Sequence, residues 1–151
     1  MPACIFCWSA SERVTCLRVI APVGNLRLHL ALRILIGSVW VFHGLYSKLL
    51  DGIPRHRMIV ARVLGEEVSG AAIVAVGVCE ILLGVWVFTH RLPRTCAAVQ
   101  TLAIVAMNAL EISRAPDLLI SAPGMVALNL AFLSLGWYNA TRSPRHRSHP
   151  A

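Results

Sequence analysis

The chain has 151 residues, of which 57% are hydrophobic and only 14% are charged. The apolar content lies above the roughly 45–50% that is usual for soluble globular proteins, and the length has room for one domain. The formal net charge is +7, but the basic residues lie between and beside apolar runs instead of gathering on one solvated face. That placement argues against a nucleic-acid partner and favours contact with a lipid bilayer.

The N-terminal segment, residues 1–27, is polar and broken, and we expect it to be interfacial and retained. Pro22, Gly24 and several arginines interrupt the continuous apolar run that a secretory signal needs. The first predicted membrane span is residues 28–50, where Arg33 and Lys48 can extend toward the headgroups. Its semi-polar face, predicted to turn inward, has helical spacing and comprises Trp40, His43, Gly44, Ser47 and Lys48.

Residues 51–67 follow as the longest connection and have an amphipathic pattern. Apolar residues such as Ile59 and Val63 can share one side while arginines take the other, which predicts a short interfacial helix. Residues 68–88 are then apolar all round, with one ionisable side chain, Glu80. At ~1.5 Å per residue this stretch matches the ~30 Å hydrocarbon core, so we predict the second span here.

The third predicted span is residues 95–112, which begins after the helix punctuator Pro93. The fourth is residues 118–138 if Pro123 forms a kink, or starts near Met125 otherwise. Residues 139–151 are basic and predicted to be disordered. The fold class is therefore all-α, an integral membrane four-helix up-and-down bundle with a short interfacial helix between spans 1 and 2.

Charge asymmetry predicts the orientation of this bundle. Four crossings put both termini and residues 90–94 on one side, which carries eight Lys or Arg against five on the other. Because Lys and Arg are enriched in cytoplasmic loops, we predict cytoplasmic termini and a cell membrane location, the inner membrane if the cell is bacterial.

Three short motifs in order resemble the DoxX-like family of the DoxX and DoxD superfamily. They are RILIGSVWVFHGLYSKLLDGIPRH at residues 33–56, GVCEILLGVWVF at residues 77–88 and MNALEISRAPDLLISAPGMVALN at residues 107–129. The resemblance covers roughly residues 33–138 and implies a small four-helix membrane protein. The superfamily is named for a subunit of a thiosulfate:quinone oxidoreductase, so the resemblance also implies a quinone as candidate cofactor and a redox protein as candidate partner.

A cluster of polar residues within the spans is the candidate site. Because a charge near the bilayer centre is costly, Glu80 must be neutral, paired or next to water. We expect it to bond an amide of Asn108, Asn129 or Gln100, and Lys48 to pair more easily with Glu111. The whole candidate cluster is Glu80, Asn108, Glu111, Lys48, His43, Asn129 and Gln100. It can serve a quinone headgroup or a proton path, but the same residue types also join helices structurally.

Other motifs are weak. Cys4 and Cys7 form one CxxC pair without a second, and His146 and His149 lack a third fixed ligand, so no metal site is predicted. No nucleophile triad, P-loop or dinucleotide fingerprint occurs, and catalysis by this chain alone is not expected. Three hypotheses follow: a membrane subunit supporting quinone-linked redox or proton transfer, a permeation element formed by a homo-oligomer, and an assembly scaffold without chemistry.

Overall fold

The computed structural model describes residues 23–142, and these are almost entirely helical, with no strand among them. The first helix continues without interruption into a π-helical segment, His43–Leu49, in which hydrogen bonds skip one more residue than in an α-helix. The helices are α1 (Val23–Phe42), α2 (Pro54–Leu64), α3 (Glu66–Thr89), α4 (Pro93–Arg114) and α5 (Ala122–Arg142), and a 3₁₀ turn, Pro116–Leu118, precedes α5.

Three helical stretches are long and apolar enough to cross a membrane: Leu26–Leu49, Glu66–Thr89 and Pro93–Arg114. They correspond to the first three predicted spans. Large apolar side chains such as Leu82 and Leu102 are 63% and 70% exposed on the surface of the helices. Such a surface suits lipid as the surrounding solvent, and the protein is a membrane protein.

The fourth predicted span differs from the structure at both ends. The helix α5 begins at Ala122, so Pro123 lies in its first turn, where its missing N–H costs nothing, and does not kink a longer helix. The Oγ of Ser121 accepts a hydrogen bond from the Gly124 amide at 3.2 Å and caps this start. The helix continues to Arg142, so residues 139–142 are not a disordered tail. Residues 1–22, with Cys4 and Cys7, and residues 143–151 lie outside the described part.

Glycines bring α1 and α3 into direct backbone contact. A Cβ on Gly44 would lie 2.4 Å from the carbonyl oxygen of Gly77, and one on Gly84 would lie 2.8 Å from that of Gly37. Both pairs are spaced seven residues apart, so they recur on one face of each antiparallel helix. Small residues at such a crossing replace side-chain packing by close backbone approach, the usual means of helix association in lipid. Gly77 and Gly84 of α3 thus allow the close approach of a neighbouring helix.

The remaining helices surround this pair. The helix α5 packs on α1 and α4, α4 also contacts α3, and α2 lies across α3 and reaches α4. Gly65, at φ +92°, is the single residue between α2 and α3 and allows the sharp turn that the two helices require. The buried core lies toward the end that contains the α3–α4 connection, and its members are Ile36, Trp40, Leu83, Val87, Cys96 and Ile104. The helices separate toward the α2 end, and this leaves a cavity.

Candidate functional site

The cavity occupies about 640 Å³ between all five helices at the α2 end of the molecule. Its volume lies in the range of small-molecule sites. Six of the seven predicted polar residues line it: His43, Lys48, Glu80, Asn108, Glu111 and Asn129. Its other walls are apolar and include Ile104, Met107, Leu128 and Phe132. The sequence pattern therefore located the polar cluster, and the structure shows that it adjoins an apolar space.

An ion pair lies at the inner part of this cavity. The Nζ of Lys48 donates to Oε1 and Oε2 of Glu80 at 2.6 and 2.7 Å. Both side chains are buried, with 9% and 5% of their surface exposed. This overturns two expectations: Lys48 does not pair with Glu111, and Glu80 does not bond an amide. The pair supplies the compensation that an intramembrane carboxylate requires.

The direction of helical side chains explains why Lys48 and Glu80 meet. Each side chain leans toward the N-terminus of its own helix, so residues beyond the contact point on two antiparallel helices lean toward one another. Lys48 follows Gly44 on one side of the contact, and Glu80 follows Gly77 on the other. A Cβ at Gly77 would lie only 3.2 Å from the Lys48 Cβ, so the glycine crossing brings the lysine close to the face that carries Glu80.

The two asparagines join α4 to α5 inside the cavity. Nδ2 of Asn129 donates to Oδ1 of Asn108 at 2.8 Å. Both side-chain N–H groups of Asn108, and one N–H and the carbonyl oxygen of Asn129, remain free of this bond. Glu111 also lines the cavity, and its carboxylate forms no hydrogen bond or ion pair with another described residue. The cavity therefore contains hydrogen-bond donors and acceptors that no other described residue uses.

Gln100 is the one predicted site residue that the cavity does not include. It is 5% exposed and lies in the core, where its Oε1 accepts a hydrogen bond from the Trp40 indole at 2.9 Å. Trp40 itself forms part of the cavity wall and packs edge-on against Phe132, with ring centroids 6.2 Å apart. Gln100 therefore holds Trp40, a residue of the cavity wall, and does not itself face the cavity.

The helix α2 contributes cavity residues that the polar pattern of the spans did not predict. Arg55, His56 and Ile59 line the cavity, and Arg55 therefore does not turn away from the protein. Nδ1 of His56 is hydrogen bonded to the Oγ of Ser47, which is 1% exposed in the π-helical segment. Burial lowers the pKa of His56 to about 4, and the nearby charges of Lys48, His43 and Arg55 act in the same direction. The only sequence signal for these positions was the amphipathic pattern.

The neutral form of His56 should make the protein most stable above pH 6.5. The pKa of His56 is about 4 in the folded protein and 6.5 in the unfolded chain, so between these values the unfolded chain binds more protons. Stability should therefore fall as the pH is lowered from 6.5 toward 4, by roughly 1–2 kcal/mol after a discount for the partial exposure of His56. Unfolding of the detergent-solubilised protein across this range measures the slope. His56→Gln should flatten it, and an unchanged slope in that variant would refute the assignment.

A second, much smaller cavity lies at the opposite end. It occupies about 20 Å³, and the residues around it include His90, Arg91, Gln100 and Asn139. The Nε2 of His90 is buried there without a hydrogen-bond partner in the described part of the chain. Burial lowers the pKa of His90, with further contributions from Arg33 and His29. Burial therefore favours the neutral form of this histidine.

The large cavity can hold a molecule with a polar ring and an apolar tail. The Lys48 ammonium has three N–H donors and uses two on Glu80, so one remains for a ligand oxygen. Amide donors of the asparagine pair lie on the α4 and α5 walls, and aromatic and aliphatic side chains enclose the rest. No group of three or more His, Cys, Asp or Glu residues in the described range could hold a metal ion.

Comparison with known proteins identifies the family. No curated protein and no solved structure matches the chain significantly. The sequence profile described as the DoxX-like family matches residues 37–137, which is most of the chain and includes every residue of the large cavity. The apolar helices and this match agree with the resemblance of the three sequence motifs, and the protein belongs to the DoxX-like family.

Proposed function

We propose that the large cavity binds the headgroup of a membrane quinone, and that the protein is a small membrane subunit supporting quinone-linked redox or proton transfer in a partner complex. The observation that carries the proposal is the combination of a buried Lys48–Glu80 pair with apolar and aromatic walls in one cavity of about 640 Å³. A ring with two carbonyl oxygens and an apolar tail fits such a lining.

The protein's own groups would orient the ligand and supply protons. A bound quinone would accept two electrons and two protons, and the electrons would come from the partner. The free N–H of Lys48 would donate to one carbonyl oxygen, and an amide N–H of Asn108 would donate to a second acceptor. Glu111 is the acidic side chain in the cavity without a partner among the described residues, which makes it our candidate for proton exchange with the α2 end.

We further propose that α1, α3, α4 and α5 all cross the bilayer as an up-and-down bundle, with α2 in the interface. Contacts of α5 with α1 and α4 support this, as does its length of 21 residues, about 32 Å at the helical rise. The apolar side of α2 faces the protein, since its Ile59 is only 5% exposed. Cytoplasmic termini follow from the Lys and Arg distribution, and the membrane would be the inner membrane if the cell is bacterial. A reporter that works only in the cytoplasm should be active when it is fused after Ala151, and a reporter that works only outside the cytoplasm should be inactive there.

Two matched variants on α4 test quinone binding. Met107 lines the cavity, whereas Leu102 is 70% exposed on the lipid-facing surface. In Met107→Trp the indole should fill the cavity and weaken binding by about tenfold or more, equivalent to at least ~1.4 kcal/mol. Leu102→Trp should bind as the wild type does. Calorimetric titration of the detergent-solubilised proteins with decylubiquinone gives the affinities.

The result that would contradict the proposal is specific. If the wild-type protein shows no saturable heat, or if both tryptophan variants bind equally well, the cavity is not the quinone site. Unfolding curves of the two variants should be recorded in parallel, because only folded protein is informative.

The structure favours ligand binding over permeation by a single chain. Beyond the cavity the bundle is closed by the packed core and by the Trp40–Gln100 hydrogen bond. A permeation pathway would need an additional route between subunits of an oligomer. A scaffold without chemistry would retain its function when Lys48 and Glu80 are both replaced by apolar residues, whereas a quinone subunit would not.

A further inference from the structure

The acidic residues of the described chain are confined to the α2 end and the middle of the molecule. They lie in the α1–α2 connection, in the first turn and the middle of α3, and at or just after the end of α4: Asp51, Glu66, Glu67, Glu80, Glu111 and Asp117. Three of them form ion pairs, with Lys48, Arg57 and Arg62. Three of the cations at this end therefore have acidic partners within the protein.

The opposite end carries cations alone among the described residues. It comprises the start of α1, the α3–α4 connection and the end of α5, and it includes Arg27, Arg33, Arg91, Arg94 and Arg142. No ion pair joins any of these arginines to another described residue. We call this surface the basic end. A cluster of one sign at the edge of an apolar bundle requires counter-charges from outside the described protein.

Arg33 is the deepest of these arginines. It lies within the apolar stretch Leu26–Leu49, about one turn before Ile36 and Gly37. Ile36 lines the small cavity together with His90 and Arg91, and a Cβ on Gly37 would lie 2.4 Å from the Phe88 ring, so this part of α1 packs beside the end of α3 and the α3–α4 connection. Arg91 follows His90 directly, and its carbonyl oxygen is held by the Trp86 indole at 2.7 Å. Arg33 of α1 and Arg91 of the α3–α4 connection thus belong to one region of the basic end.

The surroundings of Arg33 identify the kind of ligand. Leu30 and Ile34, on the same turns of α1, are 46% and 51% exposed. A soluble anion would neutralise the arginine but would leave these apolar side chains uncovered. A phospholipid supplies both an anionic phosphate for the guanidinium and acyl chains for its neighbours, and a long arginine side chain reaches the headgroup from within the apolar zone.

We propose that Arg33 and Arg91 form a binding site for the phosphate of an anionic phospholipid at the basic end. The inference depends on the membrane location of the chain and not on the quinone proposal. The site differs from general charge attraction because it requires Arg33 in particular, which lies within an apolar stretch, and because the cations that already pair with Asp51, Glu80 and Asp117 do not contribute to it.

The test compares thermal unfolding of the full-length protein in detergent with added phosphatidylglycerol, phosphatidylcholine or soluble glycerophosphate. Phosphatidylglycerol should raise the wild-type Tm by several degrees, and the other two should not. Arg33→Gln should lose most of this shift. Arg57→Gln, which removes a cation paired with Asp51 at 3.8 Å, should retain it.

Two further variants keep the result decisive. Arg91→Gln should bind less phosphatidylglycerol in native mass spectrometry, whether or not Arg33→Gln folds. Glu12→Gln removes the acidic residue outside the described range and should leave the lipid shift unchanged. Equal shifts with phosphatidylcholine or glycerophosphate, a full shift in Arg33→Gln, undiminished lipid binding in Arg91→Gln, or a shift that appears only in Glu12→Gln would each overturn the proposal.

Discussion

Replacing Lys48 by Met is expected to destabilise the protein by about 3–5 kcal/mol, the usual cost of leaving a buried charge without its partner. Glu80 is 4% exposed, and both of its oxygens bond to the Lys48 ammonium. Its carboxylate would then remain in the apolar interior without a counter-charge. Reversible unfolding of the detergent-solubilised variant measures the loss.

The matched controls separate burial from charge removal. The double variant with Lys48→Met and Glu80→Leu should be more stable than the Lys48→Met variant, because apolar residues of similar volume replace buried ion pairs at little cost. Arg57→Met breaks an exposed pair whose side chains are 59% and 48% accessible, and should cost less than about 1 kcal/mol. If the double variant lost as much stability as the Lys48→Met and Glu80→Leu single variants lose together, that result would contradict the ion-pair account.

Gly44→Ala is expected to cost about 1–3 kcal/mol through overpacking at the α1–α3 crossing. The added methyl would lie 2.4 Å from the Gly77 carbonyl oxygen, and backbone cannot move aside as a flexible side chain can. The helices would have to separate, and Lys48 would move away from Glu80. Unfolding of the variant in the same detergent gives the magnitude.

Gly70 offers a control on the same helix pair. It lies in α3, but a Cβ there would meet nothing within 4 Å. Gly70→Ala should therefore be neutral or slightly stabilising, since alanine has the higher helix propensity. If Gly44→Ala and Gly70→Ala have equal effects, close backbone contact does not hold α1 against α3.

The sequence was sufficient to predict three helices that are long and apolar enough to cross a membrane, and most of the polar cluster. Apolar runs of bilayer length indicate these three helices directly, and polar side chains on apolar helices are expected to turn toward the protein interior. Six of the seven predicted residues consequently meet in one cavity. The prediction was wrong for Gln100, because a polar side chain that turns inward can also form a hydrogen bond within the core, as Gln100 does with Trp40.

The pairing of Lys48 with Glu80 could not be predicted from positions along straight helices. Depth estimated from the chain alone separates the two residues, because it counts Cα positions and ignores the lean and length of the side chains. The π-helical segment His43–Leu49 changes the direction in which Lys48 leaves the helix, and no residue in the segment predicts a π-helix from the sequence. The start of α5 was missed for a different reason: Pro123 suits a first turn as well as a kink.

The most direct test of the quinone proposal is the affinity of the Lys48→Met and Glu80→Leu double variant for decylubiquinone, provided that its unfolding curve shows a folded protein. Its cavity keeps the apolar walls but lacks the ionic groups that we assign to the headgroup. We predict that its affinity is at least about tenfold below that of the wild type, a loss of ~1.4 kcal/mol or more. Equal affinity in the two proteins would show that the ion pair serves the fold and not a quinone.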